Sequence, residues 1–276
     1  MTNSLSVLSQ FAPHHLSLDP YPHLVIEDAL NIDLANQLLG SFPSAAVVDV
    51  DNSQNNVRWS YSAQDALLNP QVANLWKQFV SYHISREFWD EICTVFGGHL
   101  ESILTKPENK KCISPSRRIG LRGLDNFDAH DVQLEAQISG NTPVRKPTSV
   151  RGTHLDEGNK IFSGLYYLRD SADESTGGEF TLQRWKNWVP DRLKSFLYFE
   201  GMHDCVEEVK KIPYRHNTLV ILLDSIDSLH SVTPRSETAF TRKFLNLDGV
   251  LPAHEYHTQQ PNLVSRIRRQ IGLRRS

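Results

Sequence analysis

At 276 residues the chain is about twice the commonest domain length, and with 39% hydrophobic and 22% charged residues it can bury a core, which excludes a disordered or collagen-like polypeptide. Lys and Arg number 29 against 32 Asp and Glu, a net charge of -3, which excludes a protein whose main task is neutralising nucleic-acid phosphates but leaves room for a local basic patch. Cys93, Cys112 and Cys205 fall at long, irregular spacings that build neither a disulfide framework nor a CxxC zinc site, so a reducing, cytoplasmic setting is expected. Met1–Leu5 has no basic stretch leading into an apolar one, and the longest apolar run, Leu219–Leu223, is too short to span a bilayer; neither a signal peptide nor a transmembrane helix is expected.

No internal repeat is present, so solenoids and propellers are set aside and local patterns carry the reading. His23–Glu27 reads as a short strand. Ile32–Phe42 carries Leu34, Leu38, Leu39 and Phe42 at helical spacing until Pro43 stops it. From Pro70 to Phe96 the apolar positions keep helical spacing, as one long helix or two shorter ones, closed by Gly97 and Gly98. Beyond residue 130 the period changes: Val132, Leu134, Ala136 and Ile138 share one face of a strand, and Gln133, Glu135 and Gln137 share the other. Short runs at Phe162–Leu168, Glu179–Leu182, Ser195–Phe199, Thr218–Leu223 and Arg242–Leu247, separated by turn residues, read as further strands. The expected fold is mainly β with N-terminal helices, a sandwich or barrel carrying a helical layer. Three regions are expected: a strand and helix region over 1–129, a β core over 130–250, and a basic tail over 251–276. The tail sets Arg266, Arg268, Arg269, Arg274 and Arg275 against the single acid Glu255.

The chemistry concentrates at Arg151-Gly152-Thr153-His154-Leu155-Asp156. Residues i and i+2 of an extended chain point to the same side, so His154 and Asp156 can grip one ion. A second imidazole from a distant strand completes a two-histidine, one-carboxylate face that suits non-haem Fe(II) and leaves the opposite positions open. The best distal histidine is His230, 74 residues after Asp156 and just beyond the apolar run ending at Leu223. Arg242 opens the alternating run Arg242, Phe244, Asn246, where a guanidinium can share a face with buried groups and hold a carboxylate in a bidentate grip. An acid-bearing co-substrate is implied.

These residues, with Gly164-Leu165-Tyr166-Tyr167-Leu168, the Gly177-Gly178-Glu179-Phe180 turn, Asn217-Thr218-Leu219-Val220 and His230-Ser231-Val232-Thr233-Pro234, resemble in their order the Fe(II)- and 2-oxoglutarate-dependent dioxygenases, prolyl-hydroxylase-like branch. The likeness covers a little under half the chain. It implies a double-stranded β-helix, or jelly-roll, core with helices outside and the metal at its open end. It also implies iron ligation by His154, Asp156 and His230, and Arg242 on the distal carboxylate of 2-oxoglutarate with support from the Tyr167 hydroxyl. Because the interval from His230 to Arg242 is longer than the family's commonest one, Arg235 and Lys243 stand as weaker anchors. The implied reaction couples O₂-dependent decarboxylation of 2-oxoglutarate, to succinate and CO₂, to hydroxylation of an unactivated C–H, with ascorbate in a supporting role. Desaturation, epoxidation and ring closure use the same ligands, whereas a carboxylate at 156 disfavours halogenation.

A small-molecule substrate is favoured over a protein residue because no peptide-binding module or acidic docking run is visible. The rivals are a non-catalytic metal-binding jelly-roll protein and a zinc hydrolase on the same three ligands. His99-Leu100-Glu101 has the right residue types but follows a helical segment, and His130, His203 and His216 lack an acid two residues on. Trp185 and Trp188 are expected to pack a loop, Arg151 and Lys160 to be solvated, and the tail to be a solvated terminus or an amphipathic helix (Leu263, Ile267, Ile271) touching an anionic surface. Oligomeric state is not legible.

Overall fold

The run Thr218–Leu223 forms a strand in which every residue is buried, and that requires a sheet covered on both faces. The computed structural model, which describes residues 4–198 and 203–256, contains that sheet. In chain order the strands are β1 (Leu16–Ser17), β2 (His23–Ile26), β3 (Arg58–Tyr61), β4 (Ile119–Leu121), β5 (Val132–Asn141) and β6 (Lys160–Tyr167). There follow β7 (Phe180–Trp185), β8 (Val206–Ile212), β9 (Thr218–Leu223), β10 (His230–Val232) and β11 (Arg242–Val250). The larger sheet runs β1-β2-β9-β6-β11-β5-β3 with β4 beside β5, and the smaller runs β10-β7-β8. The protein is thus mostly β in its C-terminal half, with two sheets sharing an apolar interior.

Helices α1 (Ile32–Gly40), α2 (Ala63–Leu68), α3 (Asn74–His83), α4 (Arg86–Phe96) and α5 (Gly98–Ile103) precede the long strands. The apolar stripes of α3 and α4 bury Trp76, Phe79, Phe88 and Trp89 against Leu134, Ile138, Leu245 and Leu247 of the larger sheet. On the opposite face of that sheet, Tyr167, Val220, Leu222 and Phe244 pack against Phe180, Leu182 and Ile212 of the smaller one. The smaller sheet leaves the β5–β3 end uncovered by apolar side chains. There the second face of β5 carries Gln133, Glu135, Ser139 and Asn141, all buried. The polar half of the β5 alternation faces inward.

Asn217 ties the N-terminal segment to the sheet. Its Oδ1 accepts from the Tyr166 hydroxyl at 2.8 Å and from Leu30 N at 3.0 Å, and its Nδ2 donates to Leu30 O at 2.8 Å. It sits at φ 56°, where asparagine is tolerated better than most residues.

The helical stretch from residue 70 divides at Ile84, and Ser85 caps α4 by accepting from Phe88 N. Gly97 then admits α5, which contains His99, Leu100 and Glu101. Where a strand is expected from Ser195, the chain is helical: α6 spans Asp191–Leu197, and Phe199 lies outside the described residues. Pro190 at its N-cap and Asp191 in its first turn start a helix, and a run of four apolar residues is too short to show its period. Strand β8 has a single-face pattern, Val206 and Ile212 buried and mostly charged residues between, so its apolar content is too thin to read. Leu251 and Tyr256 are buried, and Glu255 accepts from Thr105 N and Asn109 Nδ2, so the chain stays packed through residue 256. The arginine-rich part of the tail lies outside the described residues. No helix among the described residues is long and apolar enough to cross a membrane.

Asn217→Ala removes three hydrogen bonds from buried partners and is expected to cost about 3 kcal/mol in chemical denaturation. His83, fully buried on α3, donates Nδ1–H to Phe79 O and accepts from Val7 N on Nε2, so it must be neutral; burial pushes it down from 6.5 to about 4. The unfolded chain therefore takes up that proton first as the pH falls. The His83 contribution is present in full above pH 6.5 and is lost as the pH falls through 4. In His83→Gln the decline in unfolding free energy between pH 7 and pH 4 should be shallower, by up to about 3 kcal/mol.

Candidate active site

His154 is not in a regular strand. It lies in the connection between β5 and β6 and joins β10 through a single antiparallel bridge: His154 N donates to His230 O at 2.9 Å, and His230 N donates to His154 O at 3.0 Å. Directly opposed residues across such a bridge place their side chains together, and the two imidazole centroids are 4.1 Å apart. Asp156, two residues on, brings Oδ1 to 3.9 Å from His154 Nε2 and Oδ2 to 4.0 Å from His230 Nε2. One donor atom from each residue lies within 4.8 Å of the other two, and among the described residues no other group of His, Cys, Asp or Glu does this.

Each imidazole is oriented by a backbone carbonyl, which can only accept: His154 Nδ1 meets Gly152 O at 2.8 Å and His230 Nδ1 meets Ser228 O at 2.9 Å. The proton is thereby held on Nδ1, and the Nε2 lone pairs converge with Asp156. Burial above all lowers both histidine pKa values, that of His154 well below the ordinary range with His230 and Arg151 adding to it, so both rings are neutral. Phe180 stacks on His230 at 5.1 Å and fixes its plane. Burial alone would raise Asp156, but the Lys160 ammonium, with the hydrogen bond from Ser163, outweighs it and holds the carboxyl below the usual range. Two neutral nitrogens and one ionised oxygen converging on one point suit a divalent transition metal.

Behind Asp156, Ser163 Oγ is 2.7 Å from Asp156 Oδ2 and 2.8 Å from Asp224 Oδ2. A hydroxyl has one proton, so it donates to one acid and accepts from the other. Asp224 is completely buried, and burial and then Asp156 raise its pKa well above normal, so Asp224 carries the proton and donates to Ser163, which donates to Asp156.

The triad opens on a cavity of about 460 Å³ whose wall includes Tyr167 and Arg242. Arg242, 3% exposed, donates Nη2–H to the Tyr167 hydroxyl at 2.9 Å and lies over the Tyr167 and Tyr214 rings at 4.9 and 4.8 Å. Among the described residues no carboxylate stands within ion-pair distance of it. The turn before β7 makes room for it: a Cβ at Gly178 would come 3.2 Å from Arg242 Nη1, and one at Gly177 would come 1.9 Å from Pro234 O, with both residues at positive φ.

Arg235 and Lys243 do not line the cavity. Arg235 is buried rather than solvated, but it is committed to Asp173 Oδ2 at 2.6 Å and Ser175 Oγ at 3.0 Å. Lys243 reaches the other way, over Phe42 at 5.6 Å. Lys160 is not a solvated charge either: its Nζ is 2.8 Å from Asp248 and 3.5 Å from Asp156, while Arg151 is 3.6 Å from Asp156. His99 and Glu101 sit in α5, where positions two apart face different directions. His130 bonds Asn126 O at the surface. Trp185 is buried and donates to Ile226 O, whereas Trp188 is 62% exposed.

Sequence reading did not single out Arg58, Asn141, Asp224 or Asp248, all at or behind the cavity wall. The available signal was the second face of β5 and β11, polar where a solvated strand would read the same way. Asp224→Asn, which keeps the donor of a protonated acid, is expected to change stability at pH 7 by less than about 1 kcal/mol, whereas an ionised Asp224 would make the same substitution strongly stabilising; denaturation of the two proteins separates the cases.

No protein-family profile matches the sequence, and no curated protein matches it. Among solved structures, a prolyl 4-hydroxylase from Phytophthora capsici superposes with a TM-score of 0.50 at 16% identity over 91% of this chain and 66% of that one. This chain therefore spans a little under two thirds of that protein, with which it shares the fold. A Pseudomonas putida prolyl-4-hydroxylase aligns over 85% of this chain and 94% of its own, at 15% identity and a TM-score of 0.42. HygX from Streptomyces hygroscopicus, with nickel and 2-oxoglutarate bound, aligns over 85% of each chain at 11% identity and a TM-score of 0.42.

Proposed function

We propose that the protein is an Fe(II)- and 2-oxoglutarate-dependent dioxygenase that hydroxylates an unactivated C–H of a small molecule. The observation that carries this reading is the shared cavity: a His154, Asp156, His230 donor set and a buried guanidinium with no acid of its own face the same space. A metal site alone does not call for the second feature. A buried cation without a counter-charge is costly, and a carboxylate-bearing ligand relieves that cost.

In this reading His154 Nε2, His230 Nε2 and one Asp156 oxygen hold the metal. Fe(II) held there would, with 2-oxoglutarate and O₂, supply the oxidation: one oxygen atom of O₂ would enter the C–H bond to give C–OH and the other the co-substrate, which would leave as succinate and CO₂. The protein's part is placement. Arg242 takes the distal carboxylate, its guanidinium set against the Tyr167 and Tyr214 rings. The Tyr167 hydroxyl accepts from Arg242, which leaves its own proton to donate to the same carboxylate. Asp224 and Ser163 hold Asp156 in place and return no negative charge to the site. An acid at position 156 fills the place that a halide would need, which favours hydroxylation.

The test is an anaerobic titration of the apo-protein with Fe(II) and then 2-oxoglutarate, following the visible charge-transfer band of the chelate. The band is expected in wild type and absent in His230→Ala and Asp156→Ala. Arg242→Ala should keep the metal and bind 2-oxoglutarate about 10- to 100-fold more weakly, the loss of one charge-assisted, bidentate contact. Tight zinc binding without the band in wild type would overturn the reading.

A further inference from the structure

Five cationic side chains line the cavity: Arg58, Arg122, Arg151, Lys160 and Arg242. Three face acids. Arg122 lies 3.3 Å from Glu157 and 3.4 Å from Asp248, Lys160 lies 2.8 Å from Asp248, and Arg151 lies 3.6 Å from Asp156. Arg58 and Arg242 have no carboxylate within ion-pair distance among the described residues, so the cavity presents two unmatched guanidinium groups. The distal carboxylate of the proposed co-substrate accounts for one.

The two groups serve different parts of the wall. Arg242 opens β11 and is tied to Tyr167 on β6. Arg58 comes from β3, two strands away, and its Nη2 donates to Asn246 Oδ1 at 2.9 Å, four residues further along β11. At strand rise those two β11 positions are about 13 Å apart. The Asn246 amide is oriented by its other end, where Nδ2 donates to Asp248 Oδ2 at 2.9 Å. Arg58 is an exposed residue of β3, and this relay aims its guanidinium into the cavity.

Between the two guanidinium groups stands Asn141, the register partner of Arg58 on one side and of Arg242 on the other. It is 2% exposed, it lines the cavity, and its Nδ2 is buried with no acceptor. A buried amide donor without an acceptor is rare and costs about 1–3 kcal/mol, so it marks a place where a ligand oxygen belongs.

From this we infer that Arg58, with Asn141 beside it, is the seat for an anionic group on the primary substrate, which is a small polar acid bearing a carboxylate or a phosphate. The inference rests on the dioxygenase reading for the occupants of the triad and of Arg242. The surrounding wall, with Ser60, Gln137 and Asn246, offers hydrogen bonds rather than the apolar surface a bare hydrocarbon needs.

The experiment measures O₂-dependent succinate formation by the Fe(II)-loaded protein with a panel of amino, hydroxy and phospho acids, each paired with its uncharged amide, ester or dephosphorylated form. Wild type, Arg58→Gln and Arg58→Lys are compared, and 2-oxoglutarate affinity is read separately from the anaerobic charge-transfer band. Acids are expected to stimulate turnover at least about tenfold over their uncharged partners; Arg58→Gln should lose that preference while keeping 2-oxoglutarate affinity within about twofold, and Arg58→Lys should restore part of it. If no compound stimulates, inorganic phosphate is titrated into the protein loaded with Fe(II) and 2-oxoglutarate: binding that disappears in Arg58→Gln supports the seat, and no binding overturns it. Equal stimulation by the uncharged partners overturns it, as does an Arg58→Gln variant that weakens 2-oxoglutarate as Arg242→Ala does, which would give Arg58 to the co-substrate. Absence of the band in wild type would instead sink the dioxygenase reading itself.

Discussion

Two reciprocal backbone hydrogen bonds between His154 and His230 are the constraint on which the site depends. They join an irregular connection to the short edge strand β10 and place two imidazoles side by side with their Nε2 atoms toward Asp156. The carbonyls of Gly152 and Ser228 then settle which nitrogen keeps the proton. Nothing in this arrangement needs a flexible segment to close. The donors are fixed by main chain, and main-chain geometry is the stiffest support a fold can offer.

Burial explains most of the electrostatics around that bridge. Desolvation keeps both histidines neutral and keeps the Asp224 proton in place, and it makes any uncompensated charge expensive. Most cavity cations accordingly sit against acids, with Asp248 serving both Lys160 and Arg122. Of the two exceptions, Arg242 is buried and Arg58 is exposed on β3, so the cost of an unmatched cation falls on Arg242, where a ligand would supply the counter-charge.

The larger sheet gives the cavity its polarity. Its helix-facing side is mainly apolar, with Trp76, Phe79 and Trp89 packed on Leu134, Ile138 and Leu247, and the buried Tyr166 hydroxyl there is answered by Asn217. Its inner side is divided: apolar where the three-stranded sheet covers it, polar at β5 and β3 where it walls the cavity. A mainly β protein was legible because β5 and β11 alternate and β9 is a continuous apolar run. Helix α6 and strand β8 were not legible, since four apolar residues show no period and a strand with only its end residues buried reads as a loop.

The sequence by itself determined the chemistry of the donors: an HxD pair at His154 and Asp156, a histidine after an apolar strand, and an arginine opening an alternating one, all in an order that short-range pattern preserves. Tertiary structure decided which charges are already spent. That Arg235 is bound to Asp173, that Lys243 points to Phe42, that Lys160 shares Asp248 with Arg122, and that Arg58 and Asn141 face the cavity all depend on contacts between segments far apart in the chain. Local sequence reports which groups a residue can offer. Only the packing of distant strands reports which of those groups have already found a partner, and in a low-dielectric cavity it is the unpartnered ones that bind.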